Sequence, residues 1–68
     1  MTTQEALQAA WTATRDYVAA AARDALDDDE LDWLEFVQIR AARHALECGW
    51  SRQELKAVLI DAVEEAEL

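Results

Sequence analysis

The chain has no proline and a single glycine, Gly49. With so few residues that break helices or make turns, a fold of many strands and tight turns is excluded, and helices with short connections are favoured. A single cysteine, Cys48, rules out an internal disulfide and makes a reducing compartment the default, so a cytoplasmic location is expected. Basic residues are few: Lys56 is the one lysine, beside five arginines. No apolar run approaches the roughly 18 residues that a membrane-spanning helix needs. The start, MTTQEALQ, is polar and has no basic flank, so no secretory leader is expected. One histidine and one cysteine are too few for a zinc site of His and Cys ligands.

What is present is carboxylate and alanine. Fifteen Asp and Glu against six Lys and Arg give a formal net charge of −9 and a pI near 4.2. Free nucleic acid and anionic membranes repel such a chain, whereas a basic protein surface attracts it. At 68 residues it is read as one domain, and a chain of that size buries only about 60% of its unfolded surface. A core and a sizeable enclosed active site do not both fit.

Periodicity predicts an all-α, compact three-helix bundle spanning residues 1–68 as a single small domain. Thr2 and Glu5 make a T-x-x-E start for a first helix over about residues 3–26. Its buried arc is read as Leu7, Trp11, Thr14, Val18, Ala21, Ala22 and Ala25. The alanine run 19–22 makes a slim surface across which Trp33 is expected to lie. A second helix is read over about residues 29–48, apolar around most of its circumference, and so is placed in the middle of the bundle. Gly49 suits the left-handed position that ends a helix. Ser51 and Glu54 form a capping box, with Trp50 placed to staple onto Leu55. The third helix is read over about 52–67, with Leu55, Val58, Leu59, Ala62 and Ala66 inward and with Ile60 and Val63 off that stripe.

Each chemical motif meets a missing partner. His44 and Cys48 share a helix face at i, i+4, but no other His or Cys exists to complete a zinc site, and a packed stripe leaves no room for a thiol nucleophile with its oxyanion site. They are read as a partly buried histidine and a core cysteine. A calcium loop counted from Asp27 would need glycine at its sixth position and glutamate at its twelfth, where Asp32 and Gln38 stand; counted from Asp28, the positions hold Trp33 and Ile39. No E-x-x-H occurs for a di-iron bundle. The corner at Gly49 has the form of a helix-turn-helix, but the third helix carries Asp61, Glu64, Glu65 and Glu67 and would be pushed away from phosphates. Arg40, Arg43 and Arg52 are expected to pair with nearby acids. No enzyme, cofactor or metal site is expected.

The carboxylates fall in two clusters. One is Asp24, Asp27, Asp28, Asp29, Glu30, Asp32 and Glu35; the other is Asp61, Glu64, Glu65 and Glu67. The first also suits a helix start, where aspartates meet free N–H groups. Helices running up, down and up bring both clusters to one end. Trp33 and Phe36 lie beside the first cluster and form candidate anchors within a ring of charge. The partner-binding surface is accordingly placed at Asp27, Asp28, Asp29, Glu30, Asp32, Trp33, Glu35, Phe36, Asp61, Glu64 and Glu65. The expected function is a non-enzymatic module that occupies the positive surface of a basic, nucleic-acid-handling protein, with no direct binding to nucleic acid or membrane. In size and charge alone the chain resembles small acidic inhibitors that phages direct against host defence nucleases, anti-CRISPR proteins included. The competing expectation is a small structural, assembly or antitoxin-like protein that forms a homodimer or hetero-oligomer through Ile60, Val63 or the second helix.

Overall fold

The computed structural model describes residues 2–23 and 27–67. They form three helices, α1 (Thr3–Arg23), α2 (Asp28–Glu47) and α3 (Arg52–Glu67), packed as a small all-α bundle. Asp24, Ala25 and Leu26, assigned to the first acidic cluster and the end of the first helix, lie outside the described residues.

The helix ends follow from local chemistry. The Thr2 hydroxyl accepts from Glu5 N–H at 3.1 Å, and the Asp27 carboxylate accepts from Glu30 N–H at 2.9 Å. At α3 the box is reciprocal: Glu54 N–H donates to Ser51 Oγ at 3.1 Å, and Ser51 N–H donates to Glu54 Oε1 at 3.3 Å. Helix α2 ends in a complete Schellman motif. Gly49 N–H donates to the Leu46 carbonyl and Trp50 N–H to the Ala45 carbonyl. Gly49 takes φ +109°, a conformation that costs glycine little and a β-carbon much.

Three long-range hydrogen bonds fix the topology. Trp50 Nε1 donates to the Thr3 carbonyl at 2.8 Å, which sets the α2–α3 corner beside the start of α1. Gln38 Nε2 donates to Thr14 Oγ1 at 3.3 Å, and Trp11 Nε1 donates to Asp61 Oδ2 at 2.9 Å. Helix α2 therefore runs antiparallel to α1, and α3 runs parallel to it. The helices do run up, down and up. The start of α2 and the end of α3 point toward the same end of the molecule.

The middle helix is α1, not α2. Helix α1 packs along both neighbours, while α2 and α3 meet at few positions. The reason lies in side-chain size. Ala6 and Ala10 are fully buried on α1, and Ala45 is fully buried on α2. Ala62 is fully buried on α3 as well, and alanines on all three helices let the axes of α2 and α3 both approach α1. The surplus apolar surface of α2 stays open instead: Ile39 is 42% exposed. The inward arc of α1 shifts accordingly. Ala6, Ala10, Thr14 and Ala20 are buried, Leu7, Trp11 and Val18 are half-buried, and Ala21 and Ala22 are exposed. On α3, Leu55 and Ala62 are buried, and Val58, Leu59 and Ala66 are half-buried.

Ala10, Ala45 and Leu55 form the central cluster, and Leu7, Ala41, Ala42, Leu46, Trp50 and Leu59 pack against it. Among the described residues no large side chain is fully buried. The fully buried positions are alanines, and the larger apolar residues Leu7, Leu46, Trp50 and Leu59 close over them while remaining partly exposed. No described helix is long and apolar enough to cross a membrane.

Candidate protein-interaction surface

Helix α2 opens on an unbroken run of carboxylates, Asp27 to Glu30, and Asp32 and Glu35 follow among apolar residues. Asp28, Asp29 and Glu30 occupy the first turn, where the free N–H groups and the positive end of the helix dipole favour them. Asp27 is the cap itself. Asp27, Asp28, Asp29, Glu30, Asp32 and Glu35 are all exposed. Local helix chemistry accounts for Asp27 and much of the first turn; it does not account for Asp32 and Glu35, which lie farther along.

Trp33 and Phe36 emerge from this run. Trp33 is 63% exposed and Phe36 49% exposed. Trp33 thus does not lie across the alanine run of α1. The i, i+3 spacing sets the two rings side by side, with centroids 5.9 Å apart and planes tilted by 30°. One turn farther on, the Arg40 guanidinium carbon lies 5.7 Å from the Phe36 ring centroid. A cation at that distance is attracted by the ring face. Trp33, Phe36 and Arg40 therefore form a continuous shelf on the exposed face of α2. The same three side chains line one wall of a groove of about 760 Å³, with Ala9, Val37, Ala41 and His44 among its other lining residues.

The place of Arg40 over Phe36 follows from the i, i+4 spacing. The expectation that Arg40, Arg43 and Arg52 pair with acids is not met. Among the described residues the ion pair is Arg15 with Asp16, at 3.2 Å. Arg40 meets an aromatic face instead, because the acids of α2 lie on the turns before it and only Glu47 follows. Helix α2 is thus negative over its first half and positive from Arg40 to Arg43, with the aromatic pair at the boundary.

The second cluster divides in two. Asp61 accepts from the Trp11 indole and ties α3 to α1. The Arg15 guanidinium carbon lies over the Trp11 ring, 4.9 Å from its centroid, so the indole meets a cation at its face and a carboxylate at its N–H edge. Residues 50 positions apart meet there, so helical spacing gives no signal for it. Glu64 and Glu65 are exposed. They lie toward the same end of the bundle as the start of α2, on a different helix.

His44 is exposed rather than partly buried, and its Nε2 lies 3.6 Å from the half-buried Cys48 sulfur. Among the described residues no group of three or more His, Cys, Asp or Glu side chains is placed to hold a metal ion. Comparison of the chain with protein-family models, with curated proteins and with solved structures gives no match, so the surface is read from its own geometry.

Proposed function

We propose that this chain is a non-enzymatic, acidic protein-binding module that inhibits or regulates a basic, nucleic-acid-handling protein by occupying its positive surface. The carrying observation is an exposed, adjoining Trp33–Phe36 pair set within a run of exposed carboxylates. Large exposed aromatics cost a small protein solubility and are enriched where partners bind. The carboxylates supply long-range attraction to a cationic groove and speed encounter, while the rings supply the desolvated contact. In this role the first half of α2 stands in for a phosphate backbone and Trp33 for a base. The arginines after Phe36 set a limit: the mimicry covers the first half of α2 only, and the far side of the shelf suits an acidic or polar rim on the partner.

At a net charge of −9 the chain does not itself bind nucleic acid. The reading fits a cytoplasmic inhibitor of the phage-encoded anti-defence or anti-CRISPR type, acting without cofactor. Immobilised protein exposed to lysate of its source or host at low salt is expected to retain a basic nucleic-acid-binding protein. That protein should be released by a competing DNA duplex or by a narrow step of rising salt. The same column carrying Asp28→Lys/Asp29→Lys should lose the retention, most of all at low salt, and one carrying Trp33→Ala should weaken it about tenfold or more. Equal retention by the charge-reversed protein refutes the mimic.

A further inference from the structure

The bundle has a second open surface, on the side where α2 and α3 diverge from their corner. It is an apolar groove of about 560 Å³, floored by Leu46 of α2 and by Leu55, Leu59, Ile60 and Val63 of α3. Ile60 is 49% exposed, and Leu46, Leu59 and Val63 are half-buried. The charges along it are ordered. Arg52 and Lys56 stand at its start, the apolar residues in its middle, and Glu64 at its end, with Glu67 one turn beyond on the same helix. This surface is distinct from the acidic–aromatic face of α2.

We infer that the occupant of this groove is a second copy of the chain, with the two α3 helices antiparallel about a two-fold axis near Ile60. Two observations select that occupant and that direction. The basic–apolar–acidic order of α3 is self-complementary only when reversed. Lys56 and Glu64 lie four residues on either side of Ile60. An antiparallel pair therefore sets Lys56 of each copy against Glu64 of the other, twice, as an isologous interface requires. A parallel pair sets Lys56 against Lys56 and Glu64 against Glu64. The global charge points the same way. The start of α2 and the end of α3 share one end of the bundle, so antiparallel α3 helices carry the two acidic ends to opposite ends of the dimer. Two chains of net charge −9 repel least in that arrangement, and screening by salt strengthens the pair further by weakening the remaining long-range repulsion. The inference does not depend on the proposed target: the Trp33–Phe36 shelf stays outside the interface, and each dimer carries two such shelves.

Sedimentation equilibrium of the full chain, across a range of concentrations and at two salt concentrations, tests this directly. The expected result is a reversible rise from the 7.7 kDa chain mass to twice that mass. Ile60→Asp should raise the dimer dissociation constant about tenfold or more, with circular dichroism showing the helices retained. Because Lys56 and Glu64 are exposed, their reversal leaves the fold intact and tests the direction. Lys56→Glu alone and Glu64→Lys alone should each weaken the dimer, and Lys56→Glu with Glu64→Lys should recover it. A chain that stays at monomer mass at every concentration overturns the proposal. So does a dimer indifferent to Ile60→Asp, or one in which the double reversal is as weak as the single ones.

Discussion

The two ends of this bundle are built on different principles. At the corner end, side chains from all three helices converge. Ala10, Ala45 and Leu55 are packed together, Trp50 reaches across to the Thr3 carbonyl, and a Schellman motif runs straight into a reciprocal capping box. At the other end, α2 begins with exposed carboxylates and two exposed aromatic rings, and Ala21 and Ala22 of α1 lie uncovered. The cluster that joins all three helices lies toward the first end, and beyond it burial continues only at small residues such as Ala20 and Ala62. With its large side chains joined at the corner, the bundle leaves Trp33 and Phe36 at the start of α2 outside the core.

That contrast can be broken by substitution. The largest effect is expected from Ala10→Leu. The site has no exposed surface, and extra methylenes between closely spaced helices cost about 1–3 kcal/mol. A melting temperature lower by roughly 4–8 °C per kcal/mol should follow for a domain of this size. An unchanged melting temperature would show that α1 has room to spare at the corner. Gly49→Ala comes next. A Cβ at Gly49 meets nothing within 4 Å, so the cost is purely that of φ +109°, about 1–2 kcal/mol by denaturant titration. Trp50→Phe removes the indole donor to Thr3 but keeps an aromatic ring, and should cost about 0.5–1.5 kcal/mol. Hydrogen exchange should show the loss at the start of α1. Trp33→Ala should be the least costly, within about 0.5 kcal/mol, because the ring is mostly exposed. A Trp33→Ala protein as destabilised as Ala10→Leu would mean that the aromatic shelf is structural, and the contrast between the ends would collapse.

Much of the corner end was legible in the sequence because its signals are local. Ser51 and Glu54, Gly49 and the T-x-x-E at Thr2 each act within one turn of chain, and the observed helix limits match them closely. The exposed position of Ile60 also followed from helical phase, whereas the exposure of Trp33 and Phe36 did not, because an apolar ring beside a run of acids can turn to either side. What the sequence left open is which helix the others share. Apolar circumference suggested α2, but the approach of helices is decided by the smallest residues, and alanines carry a weak hydrophobic signal whichever way they face. Ala6 and Ala10 are therefore central in the fold and inconspicuous in the pattern. The Trp11–Asp61 hydrogen bond was out of reach for another reason: once α1 and α3 are parallel neighbours it follows, and before that nothing links residues at such separation. The acidic first half of α2 was read correctly as exposed, but half of its explanation is capping chemistry, which would be present whether or not a partner exists.

The three tryptophans have been sorted by the fold into two optical classes. Trp11 and Trp50 are half-buried, and each indole donates a hydrogen bond that exists only in the folded chain. Trp33 stands in water. Emission from the first two reports the integrity of the bundle, whereas emission from the third, together with its accessibility to a soluble quencher, reports what covers the outer face of α2. A blue shift that disappears in Trp33→Phe therefore marks docking on that face, while one that survives the change marks an event elsewhere, and the protein needs no added label to tell them apart.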